Sequence, residues 1–108
     1  MLRCFIFLAL ASVVGSASAG FTTGNQLKSY MDDDEKGASF NGGVYSGYVI
    51  GVNDAFDGVL FCTPQDATKG QVKAVVSKYL KANPETWNMP AEEIIVSALR
   101  IAFPCKKN

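Results

Sequence analysis

Nineteen residues, Val44 to Cys62 (VYSGYVIGVNDAFDGVLFC), constrain the fold of this chain more than any other stretch. Their apolar members Val44, Tyr48, Val52, Ala55, Phe56 and Val59 recur every three or four positions, the period of one helix face. A second face carries Gly47, Gly51 and Gly58 with Asp54 among them. Each interior glycine costs a helix roughly 1 kcal/mol relative to alanine, so three on one face imply that another surface approaches closely there. The expected contact is a helix of the same chain or a second copy, with Asp54 hydrogen-bonded in it. Gly51→Leu should then clash. The stretch ends on Cys62 and is broken by Thr63-Pro64. It reads as a central strut around which the remainder packs.

The first nineteen residues read as an export signal. Arg3 supplies a positive start, Cys4 to Leu10 begin an apolar run, and Ala17-Ser18-Ala19 has the small-x-small form that signal peptidase cleaves. The run is shorter than the roughly 20 apolar residues of a membrane span. Cleavage after Ala19 divides the chain into a signal peptide, 1–19, and one domain, 20–108. The 89 remaining residues, 19 fewer than 108, suffice for a single modest core. Without Arg3, nine basic residues stand against ten acidic ones. That balance offers no basic patch for nucleic acid or an anionic membrane surface.

Of three cysteines, Cys4 belongs to the signal, which leaves Cys62 and Cys105. An even pair in a small exported domain predicts a disulfide. The chain has no histidine. With both cysteines bonded, Ser-His and Cys-His nucleophiles and histidine-based zinc sites are excluded. The one dense acidic run, Asp32-Asp33-Asp34-Glu35, lacks the regular oxygen spacing and turn glycine of a calcium loop, and reads as a solvated loop. No catalytic, cofactor or metal site is expected, and the chain does not read as an enzyme.

Four helical pieces emerge. Gly24-Asn25 opens a short one, Gln26 to about Met31, with Leu27, Tyr30 and Met31 inward; the acidic run and Gly37 end it, since negative charge is unfavourable at a helix C-terminus. Gly42-Gly43 separates that loop from the central helix. Thr68-Lys69-Gly70-Gln71 has the form of a capping box. Beyond it Val72, Val75, Val76, Tyr79 and Leu80 share a face, while Lys73, Ser77, Lys78 and Lys81 point to water. Asn83-Pro84 stops that helix. Pro90 takes a first-turn position of the last one, followed by Glu92 and Glu93, which suit the positive end of its dipole. Ile94, Ile95, Ala98, Leu99, Ala102 and Phe103 supply the buried face, and Pro104-Cys105 ends it. No alternating strand pattern competes. The fold class is all-α, a small four-helix domain with one Cys62–Cys105 bridge.

The residues also carry a family resemblance. Gly47 to Ala55 (GYVIGVNDA) resembles the central helix of the Rap/Tai immunity proteins. Phe61-Cys62-Thr63-Pro64, Thr68-Lys69-Gly70-Gln71, Val75 to Leu80, Asn83-Pro84-Glu85 and Ala102-Phe103-Pro104-Cys105 continue it in order. The similarity covers essentially the whole mature chain. It implies a periplasmic helical protein, often a homodimer, that protects a bacterium by plugging the active site of a cell-wall amidase effector delivered by type VI secretion. One departure stands out: members often carry a second cysteine pair, and Tyr30 and Tyr45 occupy its places here.

Two function classes follow: a specific inhibitor of a periplasmic hydrolase, or a general periplasmic helper resembling an acid-stress chaperone. A specific binder needs a rigid surface anchor. The connection 83–89 offers one, with Pro84 and Pro90 stiffening its ends. Glu85, Trp87, Asn88 and Met89 are its candidate partner-binding residues, Trp87 being the chain's single tryptophan and a residue type enriched in hot spots. The alternative for Trp87 is that it folds back and seals two helices.

Overall fold

A computed structural model describes residues 20–106. The export-signal reading of 1–19 falls outside the described residues. Four α-helices follow in order: α1 Gly24–Glu35, α2 Ser39–Phe56, α3 Lys69–Ala82 and α4 Ala91–Ala102, with a single 3-10 turn, Pro84–Thr86, before α4. Among the described residues the only β pairings are two isolated bridges, Thr23 with Pro90 and Asp57 with Phe61. None of these helices is long and apolar enough to cross a membrane.

All four helices contribute to one core. Leu27 and Met31 of α1, Tyr45 and Val49 of α2, Val76 and Leu80 of α3, and Ile95 and Leu99 of α4 are fully buried. Burial at this level stabilises by about 1.5–3 kcal/mol per large side chain. The Thr68 capping box forms as expected: Thr68 Oγ1 accepts from Gln71 N–H at 3.1 Å, and Gln71 Oε1 from Thr68 N–H at 2.8 Å. An identical box opens α1, between Thr23 and Gln26. Thr23-Gly24-Asn25-Gln26 shows the same T-x-x-Q pattern in the sequence, so this cap was legible there.

The central helix differs from the expectation at both ends and in phase. It begins at Ser39, so Gly42 and Gly43 lie inside it. Gly42 is where α1 approaches: a Cβ there would stand 2.8 Å from Asp34 Oδ1 and 3.3 Å from Asp34 Cα. It ends at Phe56, not Cys62, because Asp57 turns extended and Gly58 takes φ +84°. Asp57 then holds the turn, its Oδ1 accepting Thr63 N–H at 2.8 Å. The chain drops back into the core at Phe61, which is fully buried. The buried line of α2 is Gly42, Tyr45, Val49 and Asn53, one residue out of step with Val44, Tyr48 and Val52, which are half-buried. Ala55 and Val59 face solvent. This stretch is apolar on nearly every side, so its period alone could not set which side turns inward.

Among the described residues, nothing makes the close approach expected at Gly47 and Gly51. Both are exposed, and no atom lies within 4 Å of where their Cβ would be. Asp54 is likewise exposed, and Gly58 is the left-handed turn residue.

The acidic run is not a loop but the last turn of α1. Each of its members reaches a different partner. Asp32 pairs with Lys28 at 2.7 Å, Asp33 accepts from Asn41 Nδ2 at 2.8 Å, Asp34 pairs with Lys73 at 3.2 Å and Glu35 with Lys81 at 2.8 Å. These contacts offset the roughly 0.3–1 kcal/mol cost of each anion at a helix C-terminus. Lys73 and Ser77, expected to point to water, instead turn toward α1 and α2: Ser77 Oγ and the Tyr45 hydroxyl are 2.7 Å apart. Tyr45 thus sits in the core, and Tyr30 packs half-buried against it. Without a second disulfide, α1 is held by Leu27 and Met31 and by its acidic C-terminus.

Candidate partner-binding surface

The connection between α3 and α4 is built almost entirely from hydrogen bonds that close on themselves. Asn83 Nδ2 donates to Tyr79 O at 2.9 Å, in the last turn of α3. The hydroxyl and amide of Thr86 both donate to Asn83 O, at 2.8 and 3.0 Å. Trp87 N–H reaches Pro84 O at 3.2 Å and Met89 N–H reaches Thr86 O at 2.9 Å. Pro84 starts the 3-10 turn, where its fixed φ and missing N–H cost nothing.

A second set of contacts fastens this loop to the start of α1. Gly24 N–H donates to Met89 O and Ala91 N–H to Thr22 O, both at 2.8 Å, on either side of the Thr23–Pro90 bridge. Trp87 is half-buried, its indole Nε1–H donating to Leu80 O at 2.9 Å. The Lys28 ammonium lies 4.9 Å from the ring centroid, within cation–π range. Trp87 therefore leans inward across α1 and α3 while keeping part of its surface in solvent.

Of the four residues singled out in the sequence, the structure leaves Glu85 and Asn88 exposed and Trp87 and Met89 half-buried. All four belong to one braced loop. Gly47, Gly51 and Asp54 lie apart from it along the exposed side of α2, and Gly58 in the turn beyond. The residues that sequence reasoning missed are the bracing ones: Thr22, Gly24 and Lys28. Only the Thr23 capping pattern hinted that α1 begins where this loop needs an anchor.

At the opposite end, Cys62 and Cys105 are bonded, with Cα atoms 4.8 Å apart. Cys62 N–H also donates to Phe103 O at 2.8 Å, and Asn53 Nδ2 to Thr63 Oγ1 at 2.6 Å. The disulfide thus ties the turn after α2 to the end of α4.

A family model described as Rap1a immunity proteins matches residues 23–105. The chain belongs to this immunity protein family. The match runs from the Thr23 cap to the bridged Cys105, so it spans all four helices and both ends of the molecule just described. No curated protein matches the sequence. The family resemblance read from the FCTP, TKGQ and AFPC motifs is thereby established, and with it an immunity-type protein whose work is to bind an effector.

Two tyrosines mark how this family member's interior is wired. Burial pushes the Tyr45 hydroxyl up to about 12, its bond to Ser77 opposing the rise and the charges of Asp34 and Glu35 adding to it. Burial also raises Tyr48, helped by the charge of Glu92, whose Oε1 accepts its hydroxyl at 3.4 Å. Among the described residues, no cluster of three or more histidine, cysteine or carboxylate side chains could hold a metal ion.

Proposed function

We propose that this chain is a periplasmic immunity protein that binds and inhibits a cell-wall amidase effector delivered by type VI secretion. Its role is that of an inhibitor and not an enzyme. The family match over residues 23–105 carries the reading, and the braced loop 83–89 supplies the contact surface. The loop's geometry suits a plug. Its backbone is ordered before any partner arrives, so little entropy remains to be lost on binding. Glu85 and Asn88 project outward beside the exposed parts of Trp87 and Met89, which gives a polar rim around an aromatic anchor.

Export after cleavage at Ala19 would place the domain beside its target, in the oxidising compartment where the Cys62–Cys105 bridge persists. A second copy against the exposed Gly47–Gly51 side of α2 would give the homodimer that the resemblance implies.

The test is co-purification from periplasm with the mature chain as bait. A peptidoglycan amidase is expected to be retained by the wild type and lost with Glu85→Lys. Retention that is indifferent to Glu85→Lys and Asn88→Ala would move the contact off this loop. Retention of no hydrolase at all would remove the inhibitor reading.

A further inference from the structure

Gly20, the first described residue, lies against the start of α4. A Cβ on it would stand 3.0 Å from Glu92 Oε1, 3.2 Å from Oε2 and 3.2 Å from Pro90 Cβ, so the carboxylate fills the space where a side chain would be. Thr22, two residues on, is fastened to Ala91 through its carbonyl at 2.8 Å. The chain is thus led along the first turn of α4 with the Gly20 backbone beside Glu92. Glu92 receives the Tyr48 hydroxyl from α2 and has Glu93 and Arg100 on its own helix. Among the described residues it makes no ion pair: the three salt bridges present join other side chains.

We propose that Glu92 is the binding site for the α-ammonium group set free at Gly20 when the export signal is removed. This rests on cleavage after Ala19. In that step water adds across the Ala19–Gly20 peptide bond, leaving a carboxylate on Ala19 and an ammonium on Gly20. Before cleavage the same nitrogen is a neutral amide and offers Glu92 no charge. After cleavage it is bonded to the same Cα whose Cβ position lies 3.0 Å from Glu92 Oε1. The pair pins the Gly20–Thr23 segment, whose Thr22 carbonyl holds Ala91 and which leads into Gly24, the residue that donates to Met89 O of the 83–89 loop. Processing would therefore complete the support of the binding loop only in the exported protein.

The test uses the full chain exported to the periplasm and isotopically labelled. Intact mass should show a chain beginning at Gly20. The Gly20 amine should titrate above the ordinary α-amino range of about 7.7–8.0, since a neighbouring carboxylate favours the charged form. Glu92→Gln keeps an acceptor for Tyr48 but removes the charge, and should return the amine to that range. The Gly24 and Ala91 amides should then exchange about threefold faster or more as the segment loosens. An amine that titrates in the ordinary range in the wild type, or that ignores Glu92→Gln, overturns the pairing. A mature chain that begins elsewhere overturns it through the processing step, a separate readout.

Discussion

Gly24 of α1 and Trp87 of the α3–α4 connection meet with no room for a side chain between them. A Cβ at Gly24 would stand 2.7 Å from Trp87 O, 2.8 Å from Trp87 Cα and 2.5 Å from Ile94 Cδ1. Two of these atoms are backbone and cannot swing aside. Gly24→Ala should gain up to about 1 kcal/mol of helix propensity and lose more to overpacking, typically 1–3 kcal/mol. Denaturant unfolding should therefore show net destabilisation. If the 83–89 loop makes the proposed contact, target affinity should fall with it, because the loop shifts.

Trp87 both braces and presents the loop. Trp87→Ala removes a half-buried ring and leaves Leu80 O without its indole partner. Stability should drop by about 2 kcal/mol or more. Trp87→Phe keeps most of the ring and should cost only about 1 kcal/mol, the worth of one hydrogen bond. Thermal melts of the two variants check this, and an unchanged melting temperature in Trp87→Ala would show that the ring is not anchored.

Tyr45 gives the fold an alkaline limit. Its hydroxyl is raised from about 10 in the unfolded chain to about 12 in the folded one, so the folded state favours the protonated form. The resulting stability is fully present below pH 10 and is lost as pH rises from 10 through 12. The linked loss is of order 2–3 kcal/mol. Tyr45→Phe should cost about 1 kcal/mol at neutral pH, since Ser77 loses its partner, and should flatten the decline above pH 10. Unfolding free energies at pH 8 and pH 11 for both proteins decide it.

The disulfide spans a sequence separation of 43 residues. Chain-entropy arithmetic for a loop of that size gives roughly 4 kcal/mol. Cys62→Ser with Cys105→Ser should lower stability by about that amount, a large share of what a domain this small holds. In the wild type, alkylation without reductant should add no mass to either cysteine.

Gly51 faces open space, so Gly51→Leu should leave the isolated domain as stable as before or more so, by up to about 1 kcal/mol. Sedimentation of the same variant reads the proposed homodimer. Dissociation relative to wild type would place a second copy on this face, and an unchanged mass would remove it from there.

Local signals in the sequence settled a good deal. The Thr68–Gln71 box, the 3.6 period of Val72 to Leu80, the Pro84 stop, the Pro90 start, and two cysteines left after a signal-like opening each rest on interactions within a few residues or on simple counting. They specified four helices and the bridge, while the family was carried by the ordered FCTP, TKGQ and AFPC motifs. What they could not give was decided by neighbours distant in the chain. The acidic run Asp32–Glu35 is unfavourable at a helix end by itself, and it stays helical because Lys73 and Lys81 arrive from α3. The side of α2 that turns inward was undetermined, because a helix apolar nearly all round has no preferred face until α1 closes on Gly42. Trp87 leans inward because Leu80 offers a carbonyl and Lys28 a cation, and neither preference exists until α1 and α3 lie side by side.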